Sequence, residues 1–173
     1  SMIDLVQNGN TMEEVITVAQ ALEKAGVTLM NTGIGWHEAR VPTIVTSVPR
    51  AAFVDITAHV KKHLNIPVIA SNRINMPDTA EKILADGQAD KIQMARPLLA
   101  DPYWVNKAAT GRVNEINTCI ACNQACLDHA FKNQRVSCLV NPQACHETEL
   151  VYLKAKKSKR VAVVGGGVAG MSF

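Results

Sequence analysis

"IPVIASNRINMPDTAEKILADGQADKIQMAR", residues 66–96, decides the fold. The apolar run at 66–71 has strand character. Residues 77–87, "PDTAEKILADG", read as a helix, with Pro77 in its first turn and Gly87 at its end. "KIQMA", at 91–95, is a second strand. A strand, a crossover helix and another strand predict parallel pairing with a right-handed connection. Both strands run into polar and charged residues, "ASNRIN" and "MARPLLAD". Parallel sheets bind their ligands at that end, in barrels and in open doubly-wound sheets alike.

Towards the N-terminus the pattern repeats. "MIDLV", at 2–6, has strand character. Thr11 opens a helix with Glu14 at the capping-box spacing. Apolar residues at 12, 15, 16, 19, 22 and 25 follow a helical period, and Gly26 closes it. "VTLMNTGI" at 27–34 fits a buried strand, and residues 51–64 fit a helix. The alternation reaches residue 105. Periodicity alone does not separate a TIM barrel from a doubly-wound sheet.

The 173 residues are 47% hydrophobic with a formal charge of +3. A packed core follows, and so small a charge does not point to nucleic acid. No apolar run approaches the roughly 18 residues of a membrane span. "SMIDLVQNGN" has no basic segment ahead of an apolar one, so no secretory leader is read there. The expectation is a soluble, cytoplasmic protein with no nucleic-acid or membrane partner. Ser1 at the start, and an end inside the motif-like "VGGGVAGMSF", predict a piece of a longer polypeptide. Its partners would then be the missing halves of that same polypeptide.

Past Pro102 the alternation breaks. Residues 106–150 hold all the cysteines and one short helix signal near 123–132. "KAKKSKR", 154–160, reads as a solvated linker, with a nucleic-acid contact as its rival. "RVAVVGGGVAG" has a buried-strand pattern running into Gly165-x-Gly167-x-x-Gly170. That context suits a dinucleotide fingerprint: a tight turn, close approach to a pyrophosphate, and close helix packing.

Cys119, Cys122 and Cys126 are spaced C-x2-C-x3-C, and Cys138 follows at a distance. Zinc sites favour two close pairs. Three local thiols and a remote fourth suit a [4Fe–4S] cluster better. Cys145 is an alternative fourth ligand, with a structural thiol as its default role. His37 lies in "GIGWHEAR" directly after a strand, where a histidine can hydrogen-bond a substrate carbonyl or relay a proton. Arg73 and Arg96 end consecutive strands, and their planar forks suit a phosphate. Surface ion pairing is the plainer alternative for either.

"NTGIGWHEARVPTI", "SNRIN", "MARPLLADP", "EINTCIACNQACLD", "SCLVNPQACHE" and "VAVVGGGVAG", in that order, resemble the old-yellow-enzyme-like iron–sulfur flavoproteins of the bacterial 2,4-dienoyl-CoA reductase type. The resemblance spans essentially the whole chain. It implies an α/β fold: the C-terminal half of an FMN-binding TIM barrel over 1–105, a cluster segment over 106–153, and a linker with the first strand of a Rossmann-like FAD/NAD(P) domain over 154–173. It implies electron flow from NADPH through FAD, a 4Fe-4S cluster and FMN to an acyl-CoA substrate, as in β-oxidation of unsaturated fatty acids. Cys119, Cys122, Cys126 and Cys138 match the cluster ligands. His37 matches the catalytic histidine, and His37, Glu38, Ala39 and Arg40 the substrate contacts. Arg73, Ala95 and Arg96 match FMN-binding positions; Gly165, Gly167 and Gly170 match the FAD fingerprint. Val168 stands where the family commonly has proline. The tyrosine that works beside the family's histidine has no counterpart here, so this chain by itself is not expected to be a competent reductase. An enoate reductase or amine dehydrogenase of the same layout, or a zinc-stapled structural module, are the rival readings.

Overall fold

The computed structural model describes residues 2–35, 39–167 and 170. Three strands pair in parallel: β1 (Met30–Thr32), β2 (Val68–Ala70) and β3 (Lys91–Ile92). Their order in the sheet is their order in the chain. The register sets Met30 against Val68, Thr32 against Ala70, and Ala70 against Ile92.

Met30, Thr32, Val68 and Ala70 are all buried, and by the two-residue period of a strand they share one face. That face carries the helices. α1 (Met12–Lys24) and α2 (Val54–Lys61) pack Val15, Ala19 and Val60 against Met30 and Val68. α3 (Pro77–Ala85) adds Ala80 and Ile83 beside Ala70. Asn31 lies on the opposite face and donates from Nδ2 to Oε1 of Gln93. A doubly-wound sheet carries helices on both faces, whereas a barrel wall carries them on one. Sequential strand order with a one-sided helix layer is the barrel arrangement.

Local chemistry explains the elements. Thr11 caps α1: Glu14 N donates to its Oγ1 at 3.2 Å, and its own N donates to Glu14 Oε2 at 2.8 Å. Pro77 sits in the first turn of α3, where no N–H is needed. Thr32 is fully buried, and its hydroxyl meets Thr57 Oγ1 at 2.7 Å and Ile69 O at 2.7 Å. A buried polar group is tolerable when bonded in this way.

Several expectations need correction. Residues 2–6 form no strand. Met2 N donates to Gly33 O and Ile3 O accepts from Gly35 N, both at 2.8 Å, but Leu5 turns into the left-handed region at φ 56° and ends the extended run. Gly35 is left-handed at φ 54°, and a Cβ there would also lie 2.8 Å from Thr43 Cγ2, so glycine is favoured at this position. The buried strand read at 161–164 is also absent, and Val161, Val163 and Val164 are exposed. Among the described residues no strand lies beside it to complete a ladder. Order continues where no signal was read: α4 (Arg96–Ala100) ahead of Pro102, and past it α5 (Trp104–Ala109) and a 3-10 turn at Val113–Glu115. Trp104 and Ile116 belong to the same core as Ala70 and Ile83. A further helix, α6 (Leu127–Phe131), lies within the region expected for it. Among the described residues no helix is long and apolar enough to cross a membrane.

Candidate flavin and metal site

The loops after the three strands converge on a hollow of about 200 Å3, lined by residues that include Thr43, Asn72, Arg73, Asn75, Ala95 and Arg96. Arg73 Nε donates to Val48 O at 2.8 Å, and Arg96 Nη1 to Ile44 O at 2.8 Å. Those carbonyls belong to the loop that follows the β1 end. Asn72 clamps the same region from β2: its Oδ1 accepts from Ile34 N at 3.2 Å, and its Nδ2 donates to Ile34 O at 3.2 Å. Asn72 and Arg73 are both left-handed, at φ 68° and 56°. For Arg73 such backbone costs roughly 1–2 kcal/mol, which the surrounding bonds must offset.

Burial, and then the charge of Arg96, pull the pKa of Arg73 below the ordinary arginine range. Among the described residues neither guanidinium is paired with a carboxylate. Two confined cations without counter-charge make an anion pocket. Ala95 lies on its wall, directly before Arg96. Asn75, only 5% exposed, keeps an Oδ1 with no hydrogen-bond partner. A buried acceptor without a partner calls for a donor from a bound group or an ordered water. The residues therefore fit the phosphate and polar groups of a flavin nucleotide.

A second cavity adjoins the first. Cys119, Cys122, Cys126 and Cys138 all line it, together with Arg96. Cys119 and Arg96 line both cavities. The cysteine loop winds through left-handed backbone at Ala121 and Asn123, and Cys126 leads into α6. Ser137 N donates to Ala125 O at 2.6 Å, which brings the remote Cys138 back to the loop. Asn141 pairs with Cys138 in an antiparallel bridge, and its Nδ2 donates to Leu99 O at 3.0 Å. All five cysteines are free thiols of intermediate burial. Burial raises the thiol pKa of Cys126, and Cys119 and Cys122 push the same way against a nearby backbone N–H and Arg96.

Four thiols around one cavity are the soft donor set of zinc or iron–sulfur centres. A lone zinc holds its sulfurs about 2.3 Å from one point. Among the described residues no three His, Cys, Asp or Glu side chains are so gathered. The four thiols supply the donor type that such centres use. Cys145 is not among the lining residues. Its amide donates to Glu147 Oε1 at 3.0 Å, and its carbonyl accepts from Arg135 at 2.7 Å.

Other expected residues do not join this pair of cavities. His37 and Glu38 lie outside the described residues. Ala39 is buried, and exposed Arg40 lines a separate hollow beside Ile3, Leu5 and Asn10. Gly165 is left-handed at φ 116°, and the α-carbon of Gly170 packs against the Gly165 carbonyl where no Cβ fits. Gly167 has open space around it.

Sequence reasoning missed Asn75, Asn123 and the Ile44 carbonyl. Asn123 Nδ2 donates to Ile44 O at 3.3 Å, and its Oδ1 accepts from Arg96. The signals were present: "SNRIN" sets an amide on either side of its arginine, and Asn123 follows Cys122 directly. The backbone carbonyl left no signal at all.

A family model described as the NADH:flavin oxidoreductase / NADH oxidase family matches residues 1–115. A metal reductase of Desulforamulus reducens is 46% identical over 98% of this chain and 25% of its own length. An NADH oxidase of Thermoanaerobacter brockii is 42% identical over 97% of the chain and 26% of its length. The solved complex of 2-naphthoyl-CoA reductase with 2-naphthoyl-CoA superposes with a TM-score of 0.92 at 38% identity, covering 97% of this chain and 26% of that one. The chain thus spans about a quarter of the length of these relatives.

Proposed function

The chain belongs to the NADH:flavin oxidoreductase / NADH oxidase family, and on that premise we propose that it is the flavin-phosphate wall and iron–sulfur loop of a reductase acting on unsaturated acyl-CoA thioesters. One observation carries the reading. A pocket with two arginines unpaired among the described residues shares a wall, Cys119 and Arg96, with a cavity lined by four cysteines. Arg73 and Arg96 hold the phosphate of FMN, and Ala95 lies against it. Cys119, Cys122, Cys126 and Cys138, as thiolates, hold a 4Fe-4S cluster. When bound, the flavin supplies hydride to the substrate and the cluster supplies single electrons.

His37, with Glu38, Ala39 and Arg40, lies in the stretch that the family resemblance assigns to substrate. His37 there hydrogen-bonds the thioester carbonyl or moves a proton. The spacing Gly165-x-Gly167-x-x-Gly170 supports FAD as a second flavin, fed by NADPH. The 2-naphthoyl-CoA relative supports a thioester substrate, and a 2,4-dienoyl-CoA is the specific class we propose. The 42% identical NADH oxidase favours a second reading, in which reduced nicotinamide passes its electrons to oxygen.

The test uses the full-length polypeptide purified without oxygen. FMN, FAD, iron and sulfide are quantified, and NADPH is then supplied with 2,4-decadienoyl-CoA, 2-naphthoyl-CoA or oxygen alone. Loss of the diene absorbance supports the dienoyl-CoA assignment. Turnover only with naphthoyl-CoA, or only with oxygen, moves the substrate class. Stoichiometric zinc without sulfide would replace the cluster by a structural staple.

A further inference from the structure

We propose that Asn75 is a two-sided positioning residue that ties occupancy of the flavin pocket to the geometry of the first cysteine; this rests on the flavin and cluster reading above. The residue lines the first cavity and bonds to Cys119, which lines both. Its Nδ2 donates to the carbonyl of Cys119 at 2.8 Å, across 44 positions of sequence. Its own carbonyl accepts from the buried indole Nε1 of Trp104 at 3.2 Å. Its Oδ1 is buried and has no partner.

The orientation of the amide follows from chemistry. The Cys119 carbonyl needs a donor, so Nδ2 must face it. Oδ1 is then the unpartnered end of a side chain whose residue lines the pocket with Arg73 and Arg96. A buried acceptor without a partner costs about 1–3 kcal/mol. A pocket molecule that presents an N–H or O–H relieves that cost and stiffens the amide. The stiffened amide holds the backbone of Cys119 through its other end. Cys119 lines both cavities, so this contact sits where pocket and cysteine loop meet. Trp104 bonds to the Asn75 backbone, so a side-chain substitution leaves that anchor in place.

The experiment compares Asn75→Leu, close in shape but without polar atoms, with wild type in the full-length holoprotein. Thr57→Val serves as a control, because it disturbs a buried bond of the barrel away from both cavities. Chelator-driven iron loss, flavin release on dilution, the cluster's midpoint potential and the melting temperature are measured. Partners one step removed from a metal typically change its retention 10–100-fold. The expected result for Asn75→Leu is iron loss about tenfold faster, easier flavin release and a shifted potential, with Thr57→Val showing none of these at equal or lower melting temperature. Unchanged iron loss and flavin release in Asn75→Leu would overturn the inference while leaving the parent reading intact. Equal losses in Thr57→Val would also overturn it, by reducing Asn75 to a general structural role. A wild-type protein without iron and sulfide would overturn the parent reading, and this inference with it.

Discussion

Arg96 and Asn123, 27 positions apart, hydrogen-bond to each other, and both donate to one acceptor, the carbonyl of Ile44, at 2.8 and 3.3 Å. Three segments are joined at that oxygen: the loop after β1, the start of α4 and the cysteine loop. The anion pocket and the thiol cavity are therefore joined at this point, and damage at Arg96 or Asn123 should be felt in both.

The arginine pair should dominate flavin-phosphate binding. Arg96→Ala removes a charged donor and also loosens the cysteine loop, so FMN affinity of the deflavinated full-length protein should fall by about 2 kcal/mol. Arg73→Ala should weaken FMN without increasing iron loss. Arg96→Lys should not restore wild-type affinity, because a point charge cannot reproduce the guanidinium fork. Fluorescence titration with FMN and iron analysis read these outcomes.

The cavity separates the two remote cysteines. Cys138→Ser should abolish stable iron and sulfide incorporation, whereas Cys145→Ser should keep both at the wild-type level. Colorimetric iron and sulfide assays on anaerobically reconstituted protein decide it. Loss in both variants would mean that Cys145 joins the ligand set.

Asp101 is a structural knot next to this site. It is 1% exposed and accepts from Lys107 Nζ at 2.6 Å, Tyr103 N at 3.0 Å and Asn117 N at 3.0 Å. Asp101→Asn leaves the Lys107 ammonium without its counter-charge and sets an N–H2 against a donor. Stability should fall by about 3 kcal/mol. Adding Lys107→Met should recover part of the loss, in a double-mutant cycle followed by urea unfolding.

Acid should destabilise the fold through two aspartates. Burial pushes the Asp101 pKa up, but its bonds to Lys107, Asn117 and Tyr103 outweigh burial and leave it below the usual range. Asp90 is lowered by its bond to Lys61, at 2.9 Å, and by the amide of Val68, at 2.8 Å. A carboxylate with a depressed folded-state pKa stabilises fully above its unfolded value, near 3.9, and loses that contribution as pH falls through the folded value. The urea midpoint should be flat above about pH 5 and fall steeply below about pH 4. Asp101→Asn should flatten that fall.

Much of the barrel wall was legible because its signals are local. The Thr11–Glu14 box starts α1 where the spacing says, and Pro77 and Gly87 bracket α3 closely. α4 and α5 were not legible. They are too short for periodicity to register, and burial of Trp104 against Ile74 and Ile83 accounts for the second of them. The 161–164 run shows the opposite failure. Its apolar pattern is a good strand signal, but a strand exists only through its neighbour's hydrogen bonds.

What the sequence determined by itself was chemistry in local register: alternating units, polar strand ends, and C-x2-C-x3-C with a distant fourth thiol. Tertiary structure alone decided which distant groups meet. It brought Cys138 rather than Cys145 to the thiol cavity, set Arg96 and Cys119 on both walls, and left the Oδ1 of Asn75 without a partner. The physical reason is range. Helical and strand periods express forces between near neighbours, whereas these contacts join loops tens of residues apart, through carbonyls and amides whose positions no side-chain pattern encodes.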